Sequence, residues 1–168
     1  SIAGKPAISL GDEEMSPCFW GDIAKGKIKY VRNFTFNDIN TLRADPETPY
    51  IDGRKPYVNY WLSSSDGHTV KEFTDLIHPT NVDRLEADGG LCIVYTHFAS
   101  GFVNDEGQVD TQFADRIRHL SERPGWFVLV SEALDWILEQ QSTDWAIGYW
   151  DQLRLNLLWT RDRIIKRL

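Results

Sequence analysis

The chain has 168 residues, of which 42% are hydrophobic and 26% are charged, and its formal net charge is −7. This length is sufficient for one domain with a substantial core, and the composition is typical of a soluble globular protein. The negative charge argues against general nucleic-acid binding, because phosphate binding requires a basic surface. No apolar stretch is long enough to span a membrane.

The cysteines indicate the cellular compartment, and the first residues indicate whether the chain is part of a longer protein. Cys92 falls in an apolar run, where a cysteine is more often a small buried side chain than a disulfide partner, so a reducing, cytoplasmic location is expected. The chain begins Ser1-Ile2-Ala3, without an initiator methionine. We therefore expect an internal piece of a longer protein behind a tag remnant, although ordinary processing gives the same beginning.

The first third of the chain is weakly patterned. Residues 6–10 are compatible with a short strand, and residues 27–33 alternate apolar and polar side chains, which predicts a strand. Residues 34–56 contain three prolines and several Asp and Asn residues, which is typical of a long irregular connection. Residues 56–62 form an aromatic-rich run that predicts the next strand, and residues 63–67 predict a polar turn after it.

Helices and strands alternate in the middle of the chain. The predicted order is helix 70–77, helix 80–88 ended by Gly89, strand 91–97, helix 110–122, strand 126–130 and helix 131–141. Strands that alternate with helices predict a parallel sheet with right-handed crossovers, and hence an α/β fold. The run at residues 91–97 is apolar enough to be the central strand, buried on both faces.

Residues 142–168 are predicted to form an amphipathic C-terminal helix that completes a single domain over residues 1–168. Its apolar stripe consists of Trp150, Leu153, Leu157, Ile164 and Leu168. We expect the stripe to pack against the body of the protein. A helix lying on a membrane surface is the alternative, but the basic cluster at its end is short and Asp162 interrupts it.

His97 ends the predicted central strand and precedes a turn that contains Gly101. Functional groups of parallel α/β folds gather at the carboxyl ends of strands, so His97 is the candidate catalytic residue. On position alone, a half-buried histidine that hydrogen-bonds a neighbour is an equally good interpretation. Ser100 follows three residues later, which leaves a serine hydrolase as a weaker alternative.

Three stretches carry a family resemblance. They are residues 54–67 (RKPYVNYWLSSSDG), residues 81–99 (NVDRLEADGGLCIVYTHFA) and residues 125–138 (GWFVLVSEALDWIL). Together they resemble the C-terminal portion of polysaccharide deacetylases, most nearly a bacterial branch found beside polysaccharide-biosynthesis genes. The similarity covers residues 28–141 and is strongest over residues 80–138.

The resemblance implies a partial (β/α) barrel and the metal-dependent removal of acetyl groups from an N-acetylated sugar or polysaccharide. In that family, an aspartate and a His-x-x-x-His helix bind a divalent metal, usually zinc, and a second aspartate is the base. A histidine at the end of a late strand is the general acid, and this role transfers to His97, whose imidazole can donate a proton near pH 7. Tyr57, Trp61 and Phe98 are the candidates for stacking on sugar rings, although core packing is the commoner role of any one aromatic side chain.

The metal-binding part of the family pattern has no counterpart in this sequence. The four histidines are His68, His78, His97 and His119. No two of them have the His-x-x-x-His spacing, and Asn37-Asp38 matches the Asp-Asp motif imperfectly and in the wrong order. We therefore expect the back portion of a barrel, which binds no metal by itself and has little or no activity in isolation.

Two further expectations follow from this incomplete pattern. The chain is alternatively a non-catalytic carbohydrate-binding or scaffold module of the same fold, because a fold does not determine a function. Four or five strands cannot close a barrel, so we expect self-association through the exposed edges of the sheet.

Overall fold

The computed structural model describes residue 11 and residues 13–166. Its elements are α1 (Gly21–Lys27), β1 (Tyr30–Phe36), α2 (Thr41–Ala44), β2 (Tyr60–Asp66), α3 (Val70–Leu76), α4 (Pro79–Asp88), β3 (Val94–Tyr95), α5 (Thr111–Ser121), α6 (Val130–Gln140) and α7 (Tyr149–Ile165). The three strands form one parallel sheet in the order β1-β2-β3. The protein therefore has the α/β architecture with parallel strands that the alternation predicted.

The ends of the helices follow from local sequence. At the start of α3, the Glu72 N–H donates to Thr69 Oγ1 (3.2 Å) and the Thr69 N–H donates to Glu72 Oε2 (3.0 Å), which is a capping box. Asp110 caps α5 by accepting from the Phe113 N–H at 2.8 Å. Gly89 ends α4 with φ of 62°, a conformation that favours glycine. The four helices predicted between residues 70 and 141 are confirmed within one or two residues.

The central strand is β2, so the prediction that residues 91–97 form it is wrong. β2 lies between the other two strands, and β3 contains two residues at the edge of the sheet. Residues 63–65, which the sequence indicated as a turn, are buried inside β2. They are tolerated there because Ser63 Oγ donates to Asp45 Oδ2 (2.6 Å) and Ser65 Oγ donates to the Ile39 carbonyl (3.1 Å).

The first two strands begin later than their patterns predicted. β1 begins three residues after residue 27, and β2 begins four residues after residue 56. β1 begins late because α1 occupies the chain up to Lys27. One face of the sheet carries an apolar cluster, in which Phe34 and Phe36 of β1 pack with Tyr50 and Leu155. The pleat that buries these two rings sets the register of the strand.

The strand predicted at residues 126–130 is not formed. Residues 126–129 are exposed and belong to no strand, and α6 begins at Val130 rather than after a cap at Ser131. A cavity of about 470 Å³ separates Trp126 and Phe127 from the chain just before β3. No strand in residues 13–166 pairs with them, so His97 and Ser131 do not end neighbouring strands as expected.

The predicted apolar stripe of the C-terminal helix faces solvent, which corrects the expected packing. Trp150 and Leu157 are 75% and 62% exposed, whereas Leu155 is fully buried. Asp162 is also buried, and its Oδ2 is satisfied there because it accepts a hydrogen bond from the Asn37 N–H at 2.8 Å. Residues 155 and 162 are seven apart and share one face of α7, and this face is the one that packs against the sheet.

Two predictions fall on residues that are not described. The strand at residues 6–10 and the contribution of Leu168 to the stripe lie outside the described residues. Within residues 13–166, no helix combines the length and the hydropathy needed to cross a lipid bilayer.

The buried carboxyl group of Asp45 makes stability depend on pH. Burial raises the pKa of Asp45, and the hydrogen bond from Ser63 only partly opposes this effect. The folded state therefore holds this proton more tightly than the unfolded state does. Its contribution to the free energy of unfolding is largest below the ordinary carboxyl pKa of about 3.9 and falls as the pH rises towards the raised value.

We therefore expect Asp45→Asn to become more favourable, relative to the natural chain, as the pH rises from 3 to 7, since asparagine still accepts from Ser63 without a charge. Urea unfolding of both chains across this range measures the difference, and the comparison cancels the other titrating groups. A difference that does not change with pH would contradict the prediction.

Candidate functional site

The carboxyl ends of the three parallel strands meet at one edge of the sheet. β2 ends at Asp66, β3 ends at Tyr95, and the chain continues from these ends to His68 and His97. The two connections stay together, because the His97 N–H donates to the His68 carbonyl at 3.1 Å. We call this region the carboxyl edge, and it is where α/β proteins usually bind ligands.

The His97 side chain is exposed at this edge. Its ring stacks on the His68 ring, with centroids 5.5 Å apart and planes inclined by 15°. Nδ1 of His97 lies 3.3 Å from Ser100 Oγ, and no described residue bonds Nε2. The imidazole is therefore anchored on one side and free to meet a ligand through Nε2.

The serine-hydrolase alternative gains little from this contact. In a Ser-His-acid triad, the serine bonds one ring nitrogen and a carboxylate bonds the other, which orients the base. Ser100 bonds Nδ1 of His97, but no carboxylate of the described chain bonds the opposite nitrogen.

A buried ion-pair group lies at the end of β2. The side chain of Asp66 is 3% exposed, and its Oδ2 lies 2.9 Å from Lys166 Nζ and 3.4 Å from Arg163 Nη1. Oδ1 of Asp66 is buried and has no hydrogen-bond partner among the described residues. Arg163 also donates to Thr35 Oγ1 at 2.7 Å, so α7 joins the ends of β1 and β2.

Glu72 extends this group towards the histidines. Lys166 Nζ also lies 2.9 Å from Glu72 Oε1. Burial by itself would raise the pKa of Glu72, but the hydrogen bonds from Lys166 and from the Thr69 N–H outweigh it and hold the pKa below its ordinary value. Glu72 is therefore ionised at neutral pH.

A cavity of about 220 Å³ opens beside these charges. All of its lining residues except Leu76 carry hydrogen-bonding side chains: Asn37, Asp66, Glu72, Asp75, Asn81 and Lys166. Polar donors and acceptors around a small space suit a ligand with several hydroxyl groups. The sequence predicts a polar turn at Asp66 and does not indicate this cluster, because the charged residues around Asp66 come from α3 and from the end of α7.

The structure separates the four predicted site residues into two pairs. Phe98 follows His97 at the carboxyl edge, is 63% exposed and packs edge-on against Phe102 with centroids 5.1 Å apart. Tyr57 and Trp61 lie near the start of β2, roughly 16 Å along the strand from Asp66 at about 3.3 Å per residue. The quartet therefore does not form a single site.

Tyr57 and Trp61 line another cavity, of about 320 Å³, together with Trp20, Ile28 and Val31. The Tyr57 ring packs edge-on against Phe19, and its hydroxyl hydrogen-bonds Glu14. We call this space the aromatic cavity. Its walls are mainly apolar, in contrast to those of the cavity at the carboxyl edge.

The described residues do not fit the zinc site that the resemblance implies. No group of three or more His, Cys, Asp and Glu side chains in residues 13–166 has the geometry to hold a metal ion. The His68 and His97 rings stack face to face, so their nitrogens do not converge on one point, and Asp66 is engaged by two cations.

Comparisons with family models, with curated proteins and with solved structures find no match to this chain. Its class therefore rests on its own architecture, an α/β protein with an open three-stranded parallel sheet and a polar cluster at the carboxyl edge.

Proposed function

We propose that this chain is the C-terminal part of a polysaccharide-deacetylase-like protein, in which His97 is the general acid. Under this proposal, the α/β fold of the chain is part of a (β/α) barrel. The observation that carries it is the position of His97, an exposed imidazole just past the carboxyl end of a parallel strand.

In the proposed reaction, water adds to the carbonyl of an N-acetyl group and gives one proton to a base that the rest of the parent protein would supply. The C–N bond then breaks, and acetate leaves. The sugar nitrogen needs a proton to depart as an amine, and the Nε2–H of a protonated His97 supplies it. Ser100 engages Nδ1, which keeps Nε2 turned outward. Histidine suits this role because both of its forms are populated near neutral pH.

The polar cavity at the carboxyl edge supports a carbohydrate substrate. Sugar hydroxyl groups both donate and accept hydrogen bonds. The side-chain oxygens of Asn37 and Asn81 can accept, whereas both N–H groups of Asn81 Nδ2 already donate to the Asp75 and Leu76 carbonyls (3.0 Å each). Phe98 adds an exposed aromatic face next to His97. Such faces contribute apolar contact area to the axial C–H surface of a sugar ring.

The described part of the chain supplies a proton donor, but within it no group of three or more His, Cys, Asp and Glu side chains could hold a metal ion to activate water. We therefore expect no acetate release from N-acetylglucosamine oligomers by the 168-residue chain, with or without added zinc. An enzymatic assay for acetate checks this, with His97→Gln as the control for contaminating activity. Zinc-dependent release that disappears in His97→Gln would contradict the expectation while supporting the role of His97.

Binding can be tested without turnover. We expect N-acetylglucosamine oligomers to shift the NMR signals of His97 and Phe98, and Phe98→Ala to weaken binding about fivefold, since an aromatic contact contributes about 1 kcal/mol. Tyr57→Ala is the matched control and should bind normally. Shifts confined to Tyr57 and Trp61 would contradict the carboxyl edge as the binding site.

The aromatic cavity favours a second candidate function, a non-catalytic carbohydrate-binding module. Tyr57, Trp61 and Trp20 surround one space, which is an arrangement that can hold the apolar face of a sugar ring. In this case Tyr57→Ala weakens binding of the oligomers and Phe98→Ala does not, so the same titration separates the two functions.

A further inference from the structure

The outer edge of β3 has backbone groups without partners. The Ile93 and Tyr95 carbonyls accept from the N–H groups of Ser65 (2.7 Å) and Gly67 (2.9 Å), on the side of β2. Successive residues of a strand direct their backbone groups to opposite edges, so Val94 and Thr96 present theirs outward. No residue of the described chain bonds them there. This edge can therefore accept another strand.

Residues 126–129 form a second segment, whose large apolar side chains are exposed and whose backbone pairs with no strand of the described chain. Trp126, Phe127 and Leu129 are 64%, 63% and 68% exposed. Within residues 13–166, nothing hydrogen-bonds the backbone of residues 126–128. Aromatic and β-branched residues favour strands, and adjacent exposed apolar side chains usually mark a contact surface.

A groove with an apolar floor lies between Trp126 and Phe127 on one side and Leu91 and Cys92, just before β3, on the other. Its lining includes Val82 and Leu85 of α4, Leu91 before β3 and Leu120 of α5, within a cavity of about 470 Å³. An added strand with large apolar side chains could both pair with the β3 backbone and fill the groove. Its backbone would pair with β3, and its side chains would displace water from the floor.

We propose that the chain forms a two-fold symmetric dimer, in which residues 126–129 of each copy pair with the outer edge of β3 in the other copy. A two-fold interface uses the same patch on both subunits, and each copy carries both the edge and the segment. The proposal does not depend on the proposed function.

Pairing of the segment with β3 of its own copy is opposed by its anchors. Arg123 donates to Glu86 Oε1 (2.7 Å) and Oε2 (2.6 Å), and α6 is anchored by Leu134, which is fully buried. These contacts hold the chain on both sides of residues 124–129, and in the structure this segment makes no backbone hydrogen bond with β3 of its own copy. A second copy brings a strand to the groove while the segment stays in place.

The test uses sedimentation velocity and hydrogen–deuterium exchange of the 168-residue chain across a wide concentration range. We expect a two-chain mass at high concentration, together with slowed exchange of the Val94, Thr96 and Phe127 amides that is lost on dilution. A one-chain mass at every concentration would overturn the proposal, as would fast exchange of these amides in a two-chain species.

A matched pair of variants locates the interface. Phe127→Asp is expected to raise the dimer dissociation constant at least about tenfold, because pairing would bury an unpaired charge. Leu157→Asp places the same change at an equally exposed position on α7 and should leave the dimer intact. Circular dichroism checks that both variants fold. Dissociation by Leu157→Asp, with Phe127→Asp still dimeric, would overturn the proposed interface.

Discussion

Replacing Leu155 with alanine is expected to lower the free energy of unfolding by about 3 kcal/mol. Leu155 is fully buried among Phe34, Phe36 and Tyr50, at the contact that attaches α7 to the sheet. Truncation removes apolar contacts and leaves a cavity that this rigid aromatic cluster cannot close. Urea unfolding followed by circular dichroism measures the loss.

Leu157 is the control for this substitution. It lies two residues away on the same helix and is 62% exposed, so Leu157→Ala should change the free energy of unfolding by less than about 0.5 kcal/mol. The comparison decides which face of α7 is packed. Equal losses from the two variants would contradict the burial of Leu155 alone, and a larger loss from Leu157→Ala would show that the predicted stripe is the buried face.

Replacing Lys166 with methionine is expected to lower the free energy of unfolding by about 3 kcal/mol. Methionine keeps most of the apolar stem but removes the ammonium group that lies 2.9 Å from both Asp66 and Glu72. Asp66 is then a buried carboxylate with Arg163 as its remaining cation, at 3.4 Å. The cost arises from the charge that stays buried with too little compensation.

Lys71 provides the matched control for this second substitution. Its side chain is 82% exposed and pairs with Asp75 one turn along α3. Such pairs contribute little, so Lys71→Met should alter the free energy of unfolding by less than about 0.5 kcal/mol. If the two variants are equally stable in urea, the pair at the end of β2 is solvated and the candidate site is looser than the structure indicates.

The four helices between residues 70 and 141 were the most predictable part of this fold. By contrast, α1 was not predicted, and α7 begins at Tyr149 rather than at residue 142. The cap of α5 at Asp110 and the stop of α4 at Gly89 depend on residues within one turn of each other, so the order of the chain shows them directly. The parallel arrangement of the strands was predictable for a related reason, since a helix between two strands is long enough to return the chain to the same end of the sheet.

The candidate site was predictable in part. The position of His97 at the end of a strand could be recognised from its apolar run, and Phe98 is its neighbour in the chain. The grouping of Tyr57 and Trp61 with His97 was not supported, because a strand separates its two ends in space. Asp66 was missed because its cations come from the far end of the chain, at Arg163 and Lys166.

Sequence alone therefore established the α/β class, the boundaries of the four helices between residues 70 and 141, and one edge histidine, because each depends on periodicity or on contacts between near neighbours in the chain. The choice of β2 as the central strand, the buried face of α7 and the charges around Asp66 came from contacts between distant residues. Ser63 can be buried because its hydroxyl donates a hydrogen bond to Asp45. Asp162 can be buried because its carboxylate accepts a hydrogen bond from the Asn37 N–H. The sequence does not show which partner will hydrogen-bond a buried polar side chain. These features therefore appear only when the chain is folded.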